Sequence, residues 1–217
     1  MTPEKRGTSN VMADRPRSVE FFEQQFRRQV REKDFALNPF ETLALPHLSG
    51  DVLDLGCGLG NLTLEAARRG CRVTAVDASP AGISRIREAI EEEALTVEAV
   101  VADLESYAID RTYDTIVAIG LLMFFRRARA YGLLEQIQAH VRPGGRAVVN
   151  VLVKGTTFLD MFEPGNYYLF GREELRNRFA EWKVLAWHPE VYPAPRDTVK
   201  KFTTLIAEKS VADCGRE

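Results

Sequence analysis

The sequence predicts an α/β protein, a doubly wound and mostly parallel seven-stranded sheet with a terminal antiparallel hairpin. Two observations predict this fold class. Between residues 52 and 153, short strand-like runs alternate with helix-like segments, and a strand, helix, strand repeat builds a parallel sheet with helices on both faces. After residue 170 the alternation stops and two strand-like runs follow each other, which is typical of an antiparallel pair.

The first elements of the chain are expected to cover the sheet rather than to join it. Residues 1–17 are polar, contain two prolines and predict a flexible tail. A helix is expected from Ser18, because Phe22, Phe26 and Val30 recur every four residues. A second, short helix is expected directly after an Asn-Pro pair at 38–39.

The sheet itself is predicted from five strand-like runs: VLDL (52–55), RVTAVD (72–77), VEAVVAD (97–103), DTIVAIG (114–120) and RAVVNVLV (146–153). Helix-like segments separate them at 61–69, 80–92 and 127–141, and Pro143-Gly144-Gly145 is expected to turn the chain into the fifth strand. Near the end, REELRNRFA predicts a helix. WKVLAWH and KKFTTLIAEK predict two strands joined by the Pro-rich connection PEVYPAPRD.

Composition restricts the partners and the compartment of the chain. Its 29 basic and 31 acidic side chains give a net charge of -2, which disfavours nucleic acid as the main partner. Cys57, Cys71 and Cys214 are odd in number and form no Cys-x-x-Cys pair, so we expect no disulfide framework and no metal site. No apolar run approaches the roughly 20 residues that span a bilayer, so a cytoplasmic protein outside the membrane is expected.

The strongest functional signal is the segment DLGCGLG, residues 54–60, between the first strand and the next helix. Glycines there allow a sharp turn and close approach of a ligand to the backbone. They follow the spacing G-x-G-x-G, with Asn61 where a dinucleotide-binding G-x-G-x-x-G loop has its third glycine. Because Asp54 precedes the first glycine by two residues, the loop favours a ligand with an amino group over a pyrophosphate.

Two further acids end predicted strands, Asp77 after the second and Asp103 after the third. In an open α/β sheet the ligand lies in the crevice at the carboxyl ends of the strands. Acids at three consecutive strand ends are therefore expected to converge on one crevice.

Residues 52–153 resemble the core of the class I S-adenosylmethionine-dependent methyltransferases, whose fold is Rossmann-like. The motifs that carry the resemblance are VLDLGCGLG, AVDAS, VADLES, YDTIVAIG and RPGGRAVVNV. The resemblance implies that Gly56, Gly58 and Gly60, with Cys57 between them, receive the methionine part of S-adenosylmethionine. Asp54 would lie behind this loop.

The same resemblance assigns the rest of the cofactor. Asp77 would accept hydrogen bonds from both ribose hydroxyls. Asp103 would accept from the adenine amino group, and the backbone N–H of Leu104 would meet a ring nitrogen. The cofactor carboxylate needs a cation, and Arg31 in the first helix is the candidate. The adenosine and the sulfonium would be lined by Ala78, Ile119 and Gly120.

Three stretches resemble the small tellurite-resistance (TehB-type) methyltransferases more closely: FFEQQF (21–26), IGLLMFF (119–125) and YYLFGREELRNRFAEWKV (167–184). Such enzymes methylate small nucleophiles, so the resemblance implies a small-molecule acceptor such as a chalcogen oxyanion or a thiol. Members of that type carry a His-Arg pair in the last hairpin connection, where this chain has EVYP at 190–193.

On the acceptor side, aromatic side chains are expected to wall a dry pocket, with Phe124 and Tyr168 as its first candidates. If a proton must leave the acceptor, Tyr192, His188 and Arg196 are the candidate base and anion clamp.

Several alternatives remain open from the sequence. Methylation of a macromolecule is disfavoured because GLLM at 120–123 replaces the Asn/Asp-Pro-Pro-aromatic motif. A non-catalytic S-adenosylmethionine-binding module and a nicotinamide dehydrogenase are the other two, and the quaternary structure is a monomer or a homodimer. We expect a methyltransferase domain at 18–217, divided into a helical cover (18–50), a cofactor-binding core (51–153) and a substrate-side segment with the final hairpin (154–217).

Overall fold

A computed structural model describes residues 17–211. Its strands are β1 (Asp51–Leu55), β2 (Arg72–Asp77), β3 (Val97–Val101), β4 (Tyr113–Ile119), β5 (Val141–Leu152), β6 (Lys183–Ala194) and β7 (Thr198–Glu208). Its α-helices are α1 (Arg17–Glu32), α2 (Pro39–Ala44), α3 (Asn61–Arg68), α4 (Pro80–Glu93), α5 (Arg127–His140) and α6 (Glu174–Arg178). Short 3-10 turns lie at Leu45–His47 and Leu122–Phe124.

The seven strands form one sheet in the order β3-β2-β1-β4-β5-β7-β6, and the predicted fold class is confirmed. β1 to β5 pair in parallel, whereas β7 lies antiparallel between β5 and β6. Alternate residues of each strand face opposite layers. Val148 packs with α2 and α3 on one side of the sheet, and Val149 packs with α5 on the other.

Local sequence explains where the helices begin. Asn38 and Glu41 form a reciprocal capping box around Pro39, the first residue of α2. Ser79 caps α4 in the same manner, because its hydroxyl accepts the backbone N–H of Gly82 at 3.2 Å. These two caps also fix the two helix starts that border the site.

The final hairpin differs from the prediction. The Pro-rich stretch 189–197 was expected to be a connection, but β6 continues through it to Ala194. Prolines are tolerated there because β6 is the sheet edge and its outer N–H positions need no partner. The turn is short instead, with Arg196 and Asp197 both at positive φ, as a tight right-twisted hairpin requires.

The start of β5 also differs from the prediction. Strand pairing begins at Val141 rather than at residue 146, and the register with β4 shifts between Tyr113 and Thr115. Gly145 lies in this irregular stretch, where a Cβ would come within 2.6 Å of the Asp114 carbonyl oxygen. The PGG segment is therefore a bulge inside the strand and not the turn that precedes it.

Two expectations fall wholly or largely on residues that the structure does not describe. Of the predicted tail 1–17, only Arg17 belongs to the described range, as the first residue of α1. Cys214 lies beyond that range, while Cys57 and Cys71 are buried free thiols. No helix between residues 17 and 211 is long and apolar enough to cross a membrane.

Candidate functional site

A cavity of about 1080 Å³ opens at the carboxyl ends of the strands, beneath α1 and α2. One side, which we call the acidic half, is lined by the glycine loop 56–60 and by Asp54, Asp77 and Asp103. The other side, the aromatic half, is lined by Phe21, Phe22, Phe40, Phe124, Met161 and Phe202. Strand order brings together the three acids that the sequence places at consecutive strand ends.

The glycine loop is shaped by close backbone contacts. Gly56, Gly58 and Gly60 all have positive φ, a conformation that other residues rarely adopt. A Cβ on Gly82, at the start of α4, would lie 2.2 Å from the Gly58 carbonyl oxygen. The loop therefore fits against α4 only because Gly82 lacks a side chain.

Asp77 is held in place by two backbone donors and keeps capacity for a ligand. Its Oδ2 accepts the N–H of Gly58 at 2.8 Å, and its Oδ1 accepts the N–H of Ser79 at 2.7 Å. Burial raises the pKa of Asp77, and these two hydrogen bonds oppose that shift. Each carboxylate oxygen retains a free lone pair, so the group can accept two hydroxyls side by side.

Asp54 is buried beneath the glycine loop and accepts the Thr63 hydroxyl at 2.6 Å. Burial raises the pKa of Asp54 to about 7, helped by the negative charges of Glu41 and Asp77 and opposed by the Thr63 hydrogen bond. A cation bound in the acidic half would lower this pKa and be attracted by the carboxylate that forms.

Asp103 and Leu104 form the outer end of the acidic half. Asp103 begins a turn, in which its Oδ1 accepts the N–H of Glu105 at 2.9 Å. Within the described residues, the N–H of Leu104 makes no hydrogen bond, whereas its carbonyl accepts from Arg129. A free donor next to a carboxylate suits a flat heterocycle with an amino group beside a ring nitrogen.

The helix α1 closes the acidic half from above. Glu23 reaches down to accept the Ser79 hydroxyl at 2.5 Å, and its side chain is only 12% exposed. Phe26 packs on Gly58, where a Cβ would come within 3.0 Å of its ring. Arg31, expected to meet a carboxylate, is 76% exposed, pairs with Glu32 and does not line the cavity, so the structure does not support that prediction.

Four further residues that the sequence assigns to the cofactor site line the cavity. Ala78, Ile119 and Gly120 line the cavity, as does Cys57, whose pKa is raised by burial. Gly120 has a φ of +66°, and a Cβ built there would meet no atom within 4 Å. Open space therefore lies beside Gly120, at the junction of the two halves.

The aromatic half is built from segments far apart in sequence. Phe22 of α1 meets Phe124 edge to face at 5.2 Å, and Phe124 meets Phe162 at 5.0 Å. On the α2 side, Phe40 lies 4.7 Å from Phe202 of β7. These ring contacts give this part of the cavity an apolar wall.

Several acceptor-side predictions are not supported by the geometry. Tyr168 does not line the cavity, because its hydroxyl donates to Glu174 at 2.9 Å. His188 is exposed on β6, and Arg196 pairs with Asp160 at the hairpin turn. The Tyr192 hydroxyl donates to Glu190 at 2.8 Å behind the cavity wall. None of the three catalytic candidates therefore lines the cavity.

Residues that sequence reasoning missed also line the cavity. Glu41 does so from the capping box of α2, which the pattern N-x-x-E could have revealed. Asn150 and Lys200 line it from β5 and β7. Because side chains alternate between the two faces of a strand, the sequence could have placed Lys200 on the same face as Phe202. It could not have shown that this face lines the cavity.

Comparison with known proteins agrees with this geometry. Residues 52–145 match a family model described as a methyltransferase domain. "Hemagglutinin 1" of Eikenella corrodens is 31% identical over 164 residues, which is 73% of this chain and 54% of that protein. A probable S-adenosyl-L-methionine-dependent methyltransferase TehB of Haemophilus influenzae is 28% identical over 165 residues, covering 73% and 57%. The chain thus spans little more than half the length of these relatives.

A solved structure shows the same fold. The crystal structure of TehB from Haemophilus influenzae superposes with a TM-score of 0.70 at 23% identity, covering 89% of this chain and 67% of that one. The sheet order, the G-x-G-x-G loop and the acids at three strand ends agree with the match of residues 52–145 to a methyltransferase domain, and they are the features expected of the class I S-adenosylmethionine-dependent methyltransferases. Within that class, the chain is similar to the TehB of Haemophilus influenzae in sequence and in fold.

The cofactor of this family is S-adenosylmethionine, and the described residues fit it. Each carboxylate oxygen of Asp77 has a free lone pair that can accept one ribose hydroxyl. The free N–H of Leu104, beside the carboxylate of Asp103, suits the edge of the adenine ring. The glycine loop would receive the methionine part above Asp54. The open space beside Gly120 would receive the sulfonium and its methyl group.

Proposed function

We propose that this chain transfers the methyl group of S-adenosylmethionine to a small, soft nucleophile, such as a chalcogen oxyanion or a thiol. The observation that carries the proposal is the aromatic half of the cavity. The side chains that define it, Phe21, Phe22, Phe40, Phe124, Met161 and Phe202, are all apolar, and no histidine occurs among the described residues that line the cavity. A chalcogen oxyanion is already anionic at neutral pH, and a thiol reacts as its thiolate after losing its proton to water, so neither acceptor needs a base there. Transfer of the methyl group to either acceptor would release S-adenosylhomocysteine.

The work of the chain is binding, orientation and exclusion of water. S-adenosylmethionine, when bound, supplies a methyl group that is already activated on a sulfonium. Asp77, Asp103 and the glycine loop would hold the cofactor with its sulfonium in the open space beside Gly120. Phe22 and Phe124 close the space beyond it, so that the acceptor atom approaches in line at about 3 to 3.5 Å without competing water.

The experiment that tests this function is an acceptor panel with radiolabelled S-adenosylmethionine. The panel contains selenite, tellurite, small thiols, small amines and small carboxylic acids, and the Asp77→Ala variant supplies the background rate. We expect turnover of selenite, tellurite or thiols above that background. Turnover confined to a protein or nucleic acid from an extract would instead favour a macromolecular acceptor. Cofactor binding without turnover of any acceptor would favour a non-catalytic module.

The remaining features of the proposal are its domain division and its setting. We propose that residues 18–50 act as a cover, 51–153 as the cofactor-binding core and 154–217 as the acceptor side of one methyltransferase domain. Two buried free thiols suit a reducing compartment such as the cytoplasm. The partner is a small molecule rather than nucleic acid or a membrane, and the chain is a monomer or a homodimer.

A further inference from the structure

Lys200 is a half-buried cation in the cavity wall without an anionic partner among the described residues. Its ammonium makes no salt bridge and no hydrogen bond within residues 17–211, and its nearest recorded contact is the face of Phe158, 4.6 Å from the ring centroid. Burial lowers the pKa of Lys200, because water is partly removed without a carboxylate to replace it. A bound anion would supply the missing interaction.

Charge is divided unequally between the two halves of the cavity. The carboxylates Asp54, Asp77 and Asp103 line the acidic half, where a cofactor with a sulfonium and an ammonium group belongs. Lys200 lies on the opposite side, four residues along β7 from Thr204. Of the described cations that line the cavity, the other is Arg126, which is exposed. Opposite charge on the acceptor side matches an acceptor that is negatively charged.

A second, independent observation points to a ligand on the same face of the sheet. Asn150 lines the cavity, is 0% exposed and donates its Nδ2 to the Thr204 hydroxyl at 2.9 Å, while its Oδ1 has no partner. Turning the amide would satisfy Oδ1 through the Thr204 hydroxyl but would leave the NH2 group without an acceptor. In either orientation one polar atom of Asn150 lacks a hydrogen-bond partner among the described residues, and a ligand in the cavity could supply it.

The two polar groups are separated along the sheet. Asn150 pairs with Thr204 across the strands, and it also lies beside Ile119, next to Gly120. From Thr204 to Lys200, four residues along β7, the strand rises about 13 Å, and the lysine side chain can span about half of that distance. A ligand that reaches from Gly120 to the Lys200 ammonium is therefore longer than a single oxyanion.

We propose that Lys200 binds an anionic group of the methyl acceptor, which is a small organic nucleophile that carries a carboxylate or similar anion several ångström from its reacting atom. This inference rests on the proposed methyl transfer to a small molecule and narrows its acceptor. Asn150 contacts the same molecule nearer to the reacting atom.

Turnover of matched thiols tests the proposal. The probes are mercaptoacetate, 3-mercaptopropionate and 4-mercaptobutyrate, each compared with its methyl ester, which keeps the thiol and removes the negative charge. Lys200→Gln should raise KM for the best of the three acids by about tenfold or more, with no change for its ester. Lys200→Arg should recover most of the affinity. Equal effects on acid and ester, or no effect on either, would overturn the proposal.

Lys201→Gln is the matched control. Lys201 is the next residue of β7 and faces the other side, where its Nζ would lie 3.1 Å from a Cβ on Gly155. It does not line the cavity, so its replacement should leave KM for every probe unchanged. An effect of Lys201→Gln as large as that of Lys200→Gln would mean that general surface charge, and not a binding contact, attracts the acids.

Calorimetry separates this inference from the proposed function and from the carboxylate of the cofactor. S-adenosylhomocysteine should bind wild type and Lys200→Gln equally, whereas a tenfold loss would assign Lys200 to the cofactor and overturn the proposal. The unreactive 4-(methylthio)butyrate should bind the S-adenosylhomocysteine complex of wild type and not that of Lys200→Gln. If no thiol is methylated, the proposed function fails for thiols and this binding result alone decides the role of Lys200. Turnover of selenite or tellurite with no binding of the thioether acid would support the function and overturn the inference.

Discussion

The two halves of the cavity differ in how their side chains are held. In the acidic half, Asp54 and Asp77 lie at the ends of neighbouring strands. Asp54 accepts from Thr63 in the helix that follows its own strand, and Asp77 accepts from Ser79 two residues on and from Gly58 in the adjacent glycine loop. In the aromatic half, the wall combines α1, α2, β5 and β7, with Phe22 next to Phe124 and Phe40 next to Phe202. One half is a set of local motifs, and the other depends on the assembly of the whole sheet.

This difference indicates which parts of the chain determine cofactor binding and which determine the choice of acceptor. A local motif can bind the same cofactor in many proteins, because strand, loop and helix bring their own ligating groups. An assembled wall changes whenever one strand or cover helix changes, so it suits the part that selects the acceptor. The following predictions test whether the two halves are as separate as the geometry indicates.

The largest expected effect concerns the pH dependence of stability through Asp54. Burial raises its pKa to about 7 in the folded chain, against an ordinary value of 3.8, so folding favours the protonated acid. The stability associated with this proton is full below pH 4 and is lost as pH rises from about 4 to about 7. The loss is about 4 kcal/mol at most. Asp54→Asn should remove this part of the pH dependence in urea unfolding followed from pH 4.5 to pH 8.

Cofactor provides the control for that measurement. S-adenosylhomocysteine carries an ammonium group, and its binding above Asp54 should favour the ionised carboxylate and flatten the same curve in the wild type. Parallel curves for Asp54→Asn and wild type over the whole range would show that Asp54 is ionised in the folded state, and would weaken the assignment of the acidic half to a cation.

The second effect is loss of cofactor affinity on removal of the Asp77 carboxylate. Asp77→Ala deletes the acceptor for two ribose hydroxyls and also leaves the N–H of Gly58 and of Ser79 without their partner. At about 1.5 kcal/mol for each charge-assisted hydrogen bond, affinity should fall by about a hundredfold. Calorimetry with S-adenosylhomocysteine measures it, with Asp110→Ala, an exposed acid outside the cavity, as the control. Undiminished affinity would remove the basis for the cofactor assignment.

A pair of glycine substitutions tests the loop of the acidic half by packing rather than by charge. Gly82→Ala would force a Cβ to within 2.2 Å of the Gly58 carbonyl oxygen, so the loop must shift. We expect a loss of about 2 kcal/mol in unfolding free energy together with weaker cofactor binding. Gly132→Ala, in the middle of α5 with no atom within 4 Å of its Cβ, should instead stabilise by about 0.5 to 1 kcal/mol. Similar effects of both substitutions would show that the contact between Gly58 and Gly82 does not shape the loop.

The same contrast explains which site residues could be predicted from the sequence. Asp54, Asp77 and Asp103 were predictable because a strand end, a turn and a helix start occur together in a few residues, and parallel strands put their carboxyl ends at one edge. The mostly parallel sheet was predictable for a similar reason, since repeated strand and helix units allow few connections. The capping box at Asn38 and Glu41 was visible as well, although its position beside the cavity was not.

The aromatic half could not be predicted in the same way. Asn150 and Thr204 are 54 residues apart and meet only through the register of β5 and β7. The Pro-rich stretch was taken for a loop because prolines are unfavourable within a sheet, and nothing local reveals that β6 is an edge strand. The difference in the hairpin also affects the site. The sequence predicts a long connection that carries Tyr192, His188 and Arg196 to the acceptor, whereas the short turn leaves all three outside the cavity.

The smallest expected effect is therefore at Tyr192, the first candidate base in the sequence. Its hydroxyl donates to Glu190, while its ring meets Phe40 at 5.6 Å and Phe202 at 5.9 Å. Tyr192→Phe keeps the ring, so kcat and KM for the best small acceptor should stay within about twofold, with a stability change of about 1 kcal/mol or less. Tyr192→Ala removes the support of both phenylalanines and should raise KM with little change in kcat. A tenfold fall in kcat for Tyr192→Phe, with a changed pH profile, would show that the hydroxyl acts on the acceptor. The aromatic half would then supply a catalytic group in addition to an apolar wall.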